Sequence, residues 1–152
     1  MSLIAFLLAC GKADTAEAED PEAHACETVG AGGALTAGAA PDDTAPALPI
    51  GEDGYVVTLV DGAPGYLKVD VAEPETAALL FLDTADVVTG LWFEATEETL
   101  PAGAPNDQCA TEIPEHFDLD FHEAGTWYIQ VGPAAVTEAW MLLHDAAGHV
   151  HE

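Results

Sequence analysis

Positive charge is nearly missing from this chain: Lys12 and Lys68 stand against 28 acidic residues, for a formal net charge of -26. Such a field repels phosphate backbones and anionic lipid surfaces, which excludes nucleic acid as a partner and favours cations. A saline habitat, where salt screens the carboxylates, accounts for the same composition. Serine occurs only at position 2, so no serine nucleophile and no Gly-x-Ser-x-Gly elbow is available, and no glycine-rich phosphate loop carries a lysine. No apolar run reaches the roughly 20 residues that a membrane-crossing helix needs. Long apolar patterns of period 3.6 are also missing, which leaves little room for helix.

What the N-terminus does have is a short apolar run, residues 3–8, ending in Leu7-Leu8-Ala9-Cys10 and followed by Gly11. A run this short is a processing signal rather than a membrane span. The tetrapeptide resembles a bacterial lipobox, the signal of the lipoprotein family. That resemblance implies that residues 1–9 are removed and that Cys10 is acylated, for example with palmitate, and becomes the mature N-terminus. Acylation there would anchor the chain stably in a lipid bilayer. Gly11, where inner-membrane retention signals place Asp, resembles outer-membrane sorting, so the expected address is the outer membrane of a bacterial cell envelope. Only Met1 and Ser2 precede Leu3, with no basic segment, and the start is expected to lie upstream.

Residues 10–49 are dominated by Ala, Gly, Glu, Asp, Thr and Pro, and Val29, Leu35 and Leu48 are the large apolar exceptions. Such a segment buries too little area to offset its ordering entropy and is read as a disordered acidic tether, with a short stretch around Cys26 docking if a disulfide forms. From Ile50 onward aromatic and β-branched residues come in short runs between turn signals. Strands are expected at 56–60, 66–71, 78–82, 87–94, 116–122, 127–131 and 136–144. In 116–122, Phe117, Leu119 and Phe121 alternate with His116, Asp118, Asp120 and His122, one face for a core and one for water. About seven short strands in about 100 residues predict an all-β, two-sheet antiparallel sandwich over 50–145, jelly-roll-like, with a polar tail at 146–152.

The stretch Gly65-Tyr66-Leu67-Lys68-Val69-Asp70-Val71, with Phe117-Asp118-Leu119-Asp120 and Gly125-Thr126-Trp127-Tyr128-Ile129-Gln130-Val131 after it, resembles the bacterial pre-peptidase C-terminal domain. That family consists of accessory modules of secreted enzymes, and the resemblance implies a sandwich with no catalytic apparatus of its own. Residues 78–88 also resemble the active-site segment of retroviral-type aspartic proteases. Ala85 follows Asp83-Thr84 where that family has Gly, and its Gly-Arg-Asp element is missing, so the paired-carboxylate mechanism is not carried over. The chain is therefore expected not to be an enzyme. Trp92, Trp127, Tyr128 and Trp140 are core material, or a sugar-stacking platform where exposed.

With Cys10 assigned to lipid, Cys26 and Cys109 remain as one pair, and an oxidising compartment makes a disulfide their default. A thiolate metal site normally shows closer Cys spacing. Imidazole and carboxylate are natural ligands for zinc and related divalent cations. His116 and His122 lie roughly 20 Å apart along one strand at about 3.3 Å per residue and cannot share an ion. If successive strands alternate direction, His122 and His144 finish at one end of the sandwich, from which the tail carrying His149 and His151 departs. These four histidines, with Glu123, Asp145 or Glu152, are the metal candidates; solvated histidines on a strand end and a tail are the plainer alternative. Two functions are carried forward. The first is a non-catalytic, monomeric accessory protein capturing a divalent metal of the zinc class. The second is an adhesion or protein-interaction module, with an envelope protein as partner and no metal role.

Overall fold

A computed structural model describes residues 20–146. The described chain runs α1 (Pro21–Thr28), β1 (Gly33–Thr36), β2 (Tyr55–Thr58), β3 (Gly65–Val71), β4 (Thr76–Leu82), β5 (Val88–Phe93), β6 (Thr96–Glu98), β7 (Glu115–Phe121), β8 (Gly125–Val131) and β9 (Glu138–Asp145). Five strands form one sheet in the order β1-β2-β9-β4-β7, and four form the other in the order β3-β8-β5-β6. The all-β two-sheet sandwich expected from the sequence is the observed fold. All seven expected strands are present, and β1 and β6 are additional. Pairing among the strands is antiparallel except between β1 and β2, which run parallel.

The main core follows from period-2 alternation. Leu67, Val69 and Val71 of β3, beside Trp127, Ile129 and Val131 of the neighbouring β8, share one buried cluster with Phe117, Leu119 and Phe121 of β7 in the other sheet. Charged Asp70, Asp118 and Asp120 on the same strands stay exposed. Strand β4 differs because it lies between β9 and β7 and is covered on both faces: Ala78, Leu80 and Leu82 point into the sandwich, while Leu79 and Phe81 point outward. A second apolar cluster forms on that outer face from Leu79, Phe81, Trp140 and Leu142, roofed by Ala25 of α1 and by Ile113. Full burial of each large side chain there is worth about 1.5–3 kcal/mol.

This roof overturns the reading of residues 10–49 as a disordered tether, as far as the described residues reach. From Asp20 onward the segment belongs to the fold. Helix α1 starts where Asp20 accepts the Glu22 N–H at 3.0 Å and Pro21 takes the first helical position, an arrangement that satisfies a free N–H and presets φ. It is fastened by the Cys26–Cys109 disulfide, whose Cα atoms are 5.9 Å apart. Asn106, fully buried, accepts from the N–H groups of Gln108 and Cys109 and donates to the Glu22 carbonyl at 3.3 Å. Gln108 donates to Asp20 at 2.7 Å. Helix and loop therefore form one roof rather than two loose pieces.

The stretch 37–48 runs along the outer edge of β3. Gly38 and Tyr66 exchange backbone hydrogen bonds, both 2.9 Å, and Lys68 donates to the Pro46 carbonyl while accepting from Leu48, both at 2.8 Å. Leu48 and Ala37 turn into the core. The β3 edge of the four-stranded sheet is thus paired by the chain itself, which removes one template for intermolecular strand addition.

Candidate functional site

The roof brings together two histidines that are 120 positions apart in sequence. His24 is held by the middle of α1, two residues before the disulfide cysteine, and His144 lies near the end of β9. Their ring centres are 5.6 Å apart, with the planes at 61°. The loop at 51–54 completes the corner. Gly51 donates to the Leu143 carbonyl at 2.8 Å, which extends the β2–β9 ladder and places the Glu52 carbonyl 2.8 Å from His24 Nε2. On the other ring, His144 Nδ1 lies 2.7 Å from the carbonyl of Asp145. A carbonyl only accepts, so each of these nitrogens carries the proton. In the neutral rings His24 Nδ1 and His144 Nε2 then hold the free lone pairs.

The expected set of His122, His144, His149 and His151 is only partly within the described residues; Cys10, His149, His151 and Glu152 lie outside them. Strands β7 and β9 both run antiparallel to β4, hence parallel to each other, as alternating strand direction predicts. His144 is level with Leu79, whereas His122 follows Phe121, which is level with Thr76. Four residues along and two strands across separate them by roughly 16 Å. His122 instead stands edge-on to Trp127, ring centres 5.1 Å apart, beside the turn in which the Trp127 indole donates to the Glu123 carbonyl at 2.9 Å. His116 packs on Phe81 at 5.7 Å. The missed partner is therefore His24. Its helix could have been found from Asp20-Pro21-Glu22, an N-cap followed by Pro and an acid.

Among the described residues no group of three or more His, Cys, Asp or Glu side chains is arranged to hold a metal ion. The other expected features have plain structural uses. Trp127 and Trp140 are buried to 0% and 1% exposure, so they are core, and Trp92 is half-buried with its indole donating to Gln130 at 3.1 Å. Asp83, of the protease-like segment, accepts from the Trp140 backbone N–H at 2.8 Å and from Thr84 at 3.0 Å. No described helix is long and apolar enough to cross a membrane.

Electrostatics around the fold are one-sided. Lys68, the single cation among the described residues, sits 3.8 Å from Asp70. Burial pushes the Tyr128 phenol above its ordinary range, and the carboxylates of Asp43, Asp42, Asp70 and Glu94 push it the same way. Desolvation raises Glu115, opposed by the Asp86 N–H it accepts at 2.9 Å. Thr44 hydroxyl and backbone donors hold Asp42 low. The chain matches no protein-family model and no curated protein by sequence.

Proposed function

We propose that this chain is a lipid-anchored, non-catalytic module of a bacterial cell envelope that captures a divalent cation of the zinc class. The observation that carries the reading is the Cys26–Cys109 bridge. It uses two of the three cysteines, suits an oxidising compartment, and leaves Cys10 for acylation. The acidic field concentrates cations near the surface, and histidines supply the ligands that distinguish zinc-class ions from calcium or magnesium. His149 and His151 follow His144 by five and seven residues, and the first of these spans reaches no more than about 17 Å, so the tail's imidazoles remain within reach of the β9 end.

Two measurements test this. Metabolic labelling with a clickable palmitate analogue in a Gram-negative host should mark the full chain and leave Cys10→Ala unmarked; an unlabelled wild-type chain would overturn the anchor. Zinc calorimetry near neutral pH, in salt high enough to screen the diffuse field, should give stoichiometric binding at micromolar strength or better. Weak binding that fades with salt reduces the charge to a cation atmosphere and turns attention to a macromolecular partner.

A further inference from the structure

We propose that His24 and His144 form a two-imidazole seat for a zinc-class ion that bridges helix α1 to strand β9. The inference rests on the metal-capture reading above and replaces His122 by His24 in it. Three features of the corner carry it.

Distance is the first. Two imidazoles bound to one tetrahedral zinc, each nitrogen about 2.0–2.1 Å from the ion, have ring centres about 5–6 Å apart. The observed separation of 5.6 Å falls within that range, so the two rings need no backbone movement to reach a common ion.

Orientation is the second. Histidines that bind metal almost always donate their other ring N–H to a carbonyl or carboxylate, which fixes the tautomer and turns the remaining lone pair toward the ion. Both rings have such a partner, the Glu52 carbonyl for His24 Nε2 and the Asp145 carbonyl for His144 Nδ1. Neither hydrogen bond is needed to satisfy a buried group, because both rings are only half-buried.

Rigidity is the third. His24 lies on a helix pinned at Cys26, two residues on, by the disulfide to Cys109, and at its start by Asp20 and Asn106. His144 lies on a strand paired with β4 through Leu79. Both ligands sit on fixed elements, as a pre-formed site requires. Two ligands leave the tetrahedron open, and water or a further side chain completes it, which suits capture and release rather than a permanent structural ion.

The test is zinc titration of the full-length chain in a non-ionic detergent, in high salt, followed by hydrogen–deuterium exchange with and without zinc. His24→Ala and His144→Ala should each weaken zinc at least tenfold, His24→Gln and His144→Gln should do the same while keeping side-chain volume, and His122→Ala should leave affinity unchanged. Zinc should slow amide exchange within 21–28 in the wild type and not in His24→Gln. Undiminished affinity in the His24 and His144 variants, with loss confined to His149→Ala and His151→Ala, would overturn the seat while leaving metal capture standing. No saturable zinc binding by the wild type would overturn both.

Discussion

The indole N–H of Trp140 donates to the carbonyl of Ala31 at 2.7 Å, joining the last strand to the lead-in of the first across 109 residues. Gly54 lies flat against that indole: a Cβ there would come within 2.4 Å of Nε1. Trp140→Phe keeps an aromatic ring but loses the hydrogen bond and some volume, and should destabilise by about 1–3 kcal/mol. Gly54→Ala should cost at least as much by forcing the ring aside. Urea unfolding followed by circular dichroism measures both, and a Gly54→Ala protein of wild-type stability would show that the contact yields easily.

Removing the staple should be felt across the whole roof. Cys26→Ser with Cys109→Ser is expected to lower stability by about 2–4 kcal/mol, because an 83-residue separation is no longer closed in the unfolded chain. Proteolysis under native conditions should then cut first near α1, and cleavage elsewhere would mean that the helix docks without the bridge.

Glu94 sits at φ 52°, in the left-handed region, where a side chain costs roughly 1–2 kcal/mol and glycine only its chain entropy. Glu94→Gly should therefore raise stability by about 0.5–1 kcal/mol. Glu97→Gly, on β6, removes the same charge from extended backbone and should not. Equal gains from the two would assign the effect to charge alone.

Glu115 makes a prediction with a definite sign. Desolvation raises its carboxyl in the folded state, so the unfolded chain releases that proton first as pH rises. The resulting contribution to stability is full below the ordinary value of 4.5 and is lost as pH climbs through the folded value. Glu115→Gln, whose amide oxygen can still accept the Asp86 N–H, should thus stabilise at neutral pH and lose that advantage near pH 4. Thermal melts across that interval decide it.

A chain of formal charge -26 repels itself in the compact state. Its melting temperature should rise by at least about 4 °C between low salt and half-molar sodium chloride, the equivalent of about 1 kcal/mol for a domain of this size. An unchanged melting temperature would mean that the carboxylates are spaced widely enough not to interact.

The strands were legible because alternation forces them: nothing but a half-buried strand accommodates Phe117-Asp118-Leu119-Asp120-Phe121, and the doubly covered β4 shows itself as the unbroken run 78–82. The ordering of most of residues 20–49 was not legible, because large apolar side chains are scarce there. The fold instead fixes that stretch with backbone pairing to β3, with small residues such as Ala25, Ala37 and Ala45 that fit against neighbouring chain, and with one covalent bond. Strand β6, three residues of Thr-Glu-Glu, has no apolar signal and exists because β5 offers a free edge. At the candidate site His144 could be placed from strand direction alone. Its neighbour could not, since His24 comes from a helix whose position depends on the disulfide and on Asn106, long-range facts that no local pattern carries.

The early start of the folded chain also sets a length of leash. Counting from Cys10 to a helix that begins at Pro21, rather than to a first strand after Pro49, leaves ten residues as far as Asp20, at most about 35 Å when drawn straight. Under the anchoring proposed above, the sandwich would ride within about 35 Å of the bilayer, tethered at the start of α1, three residues before His24. Whatever it captures would have to come to the membrane surface to be met.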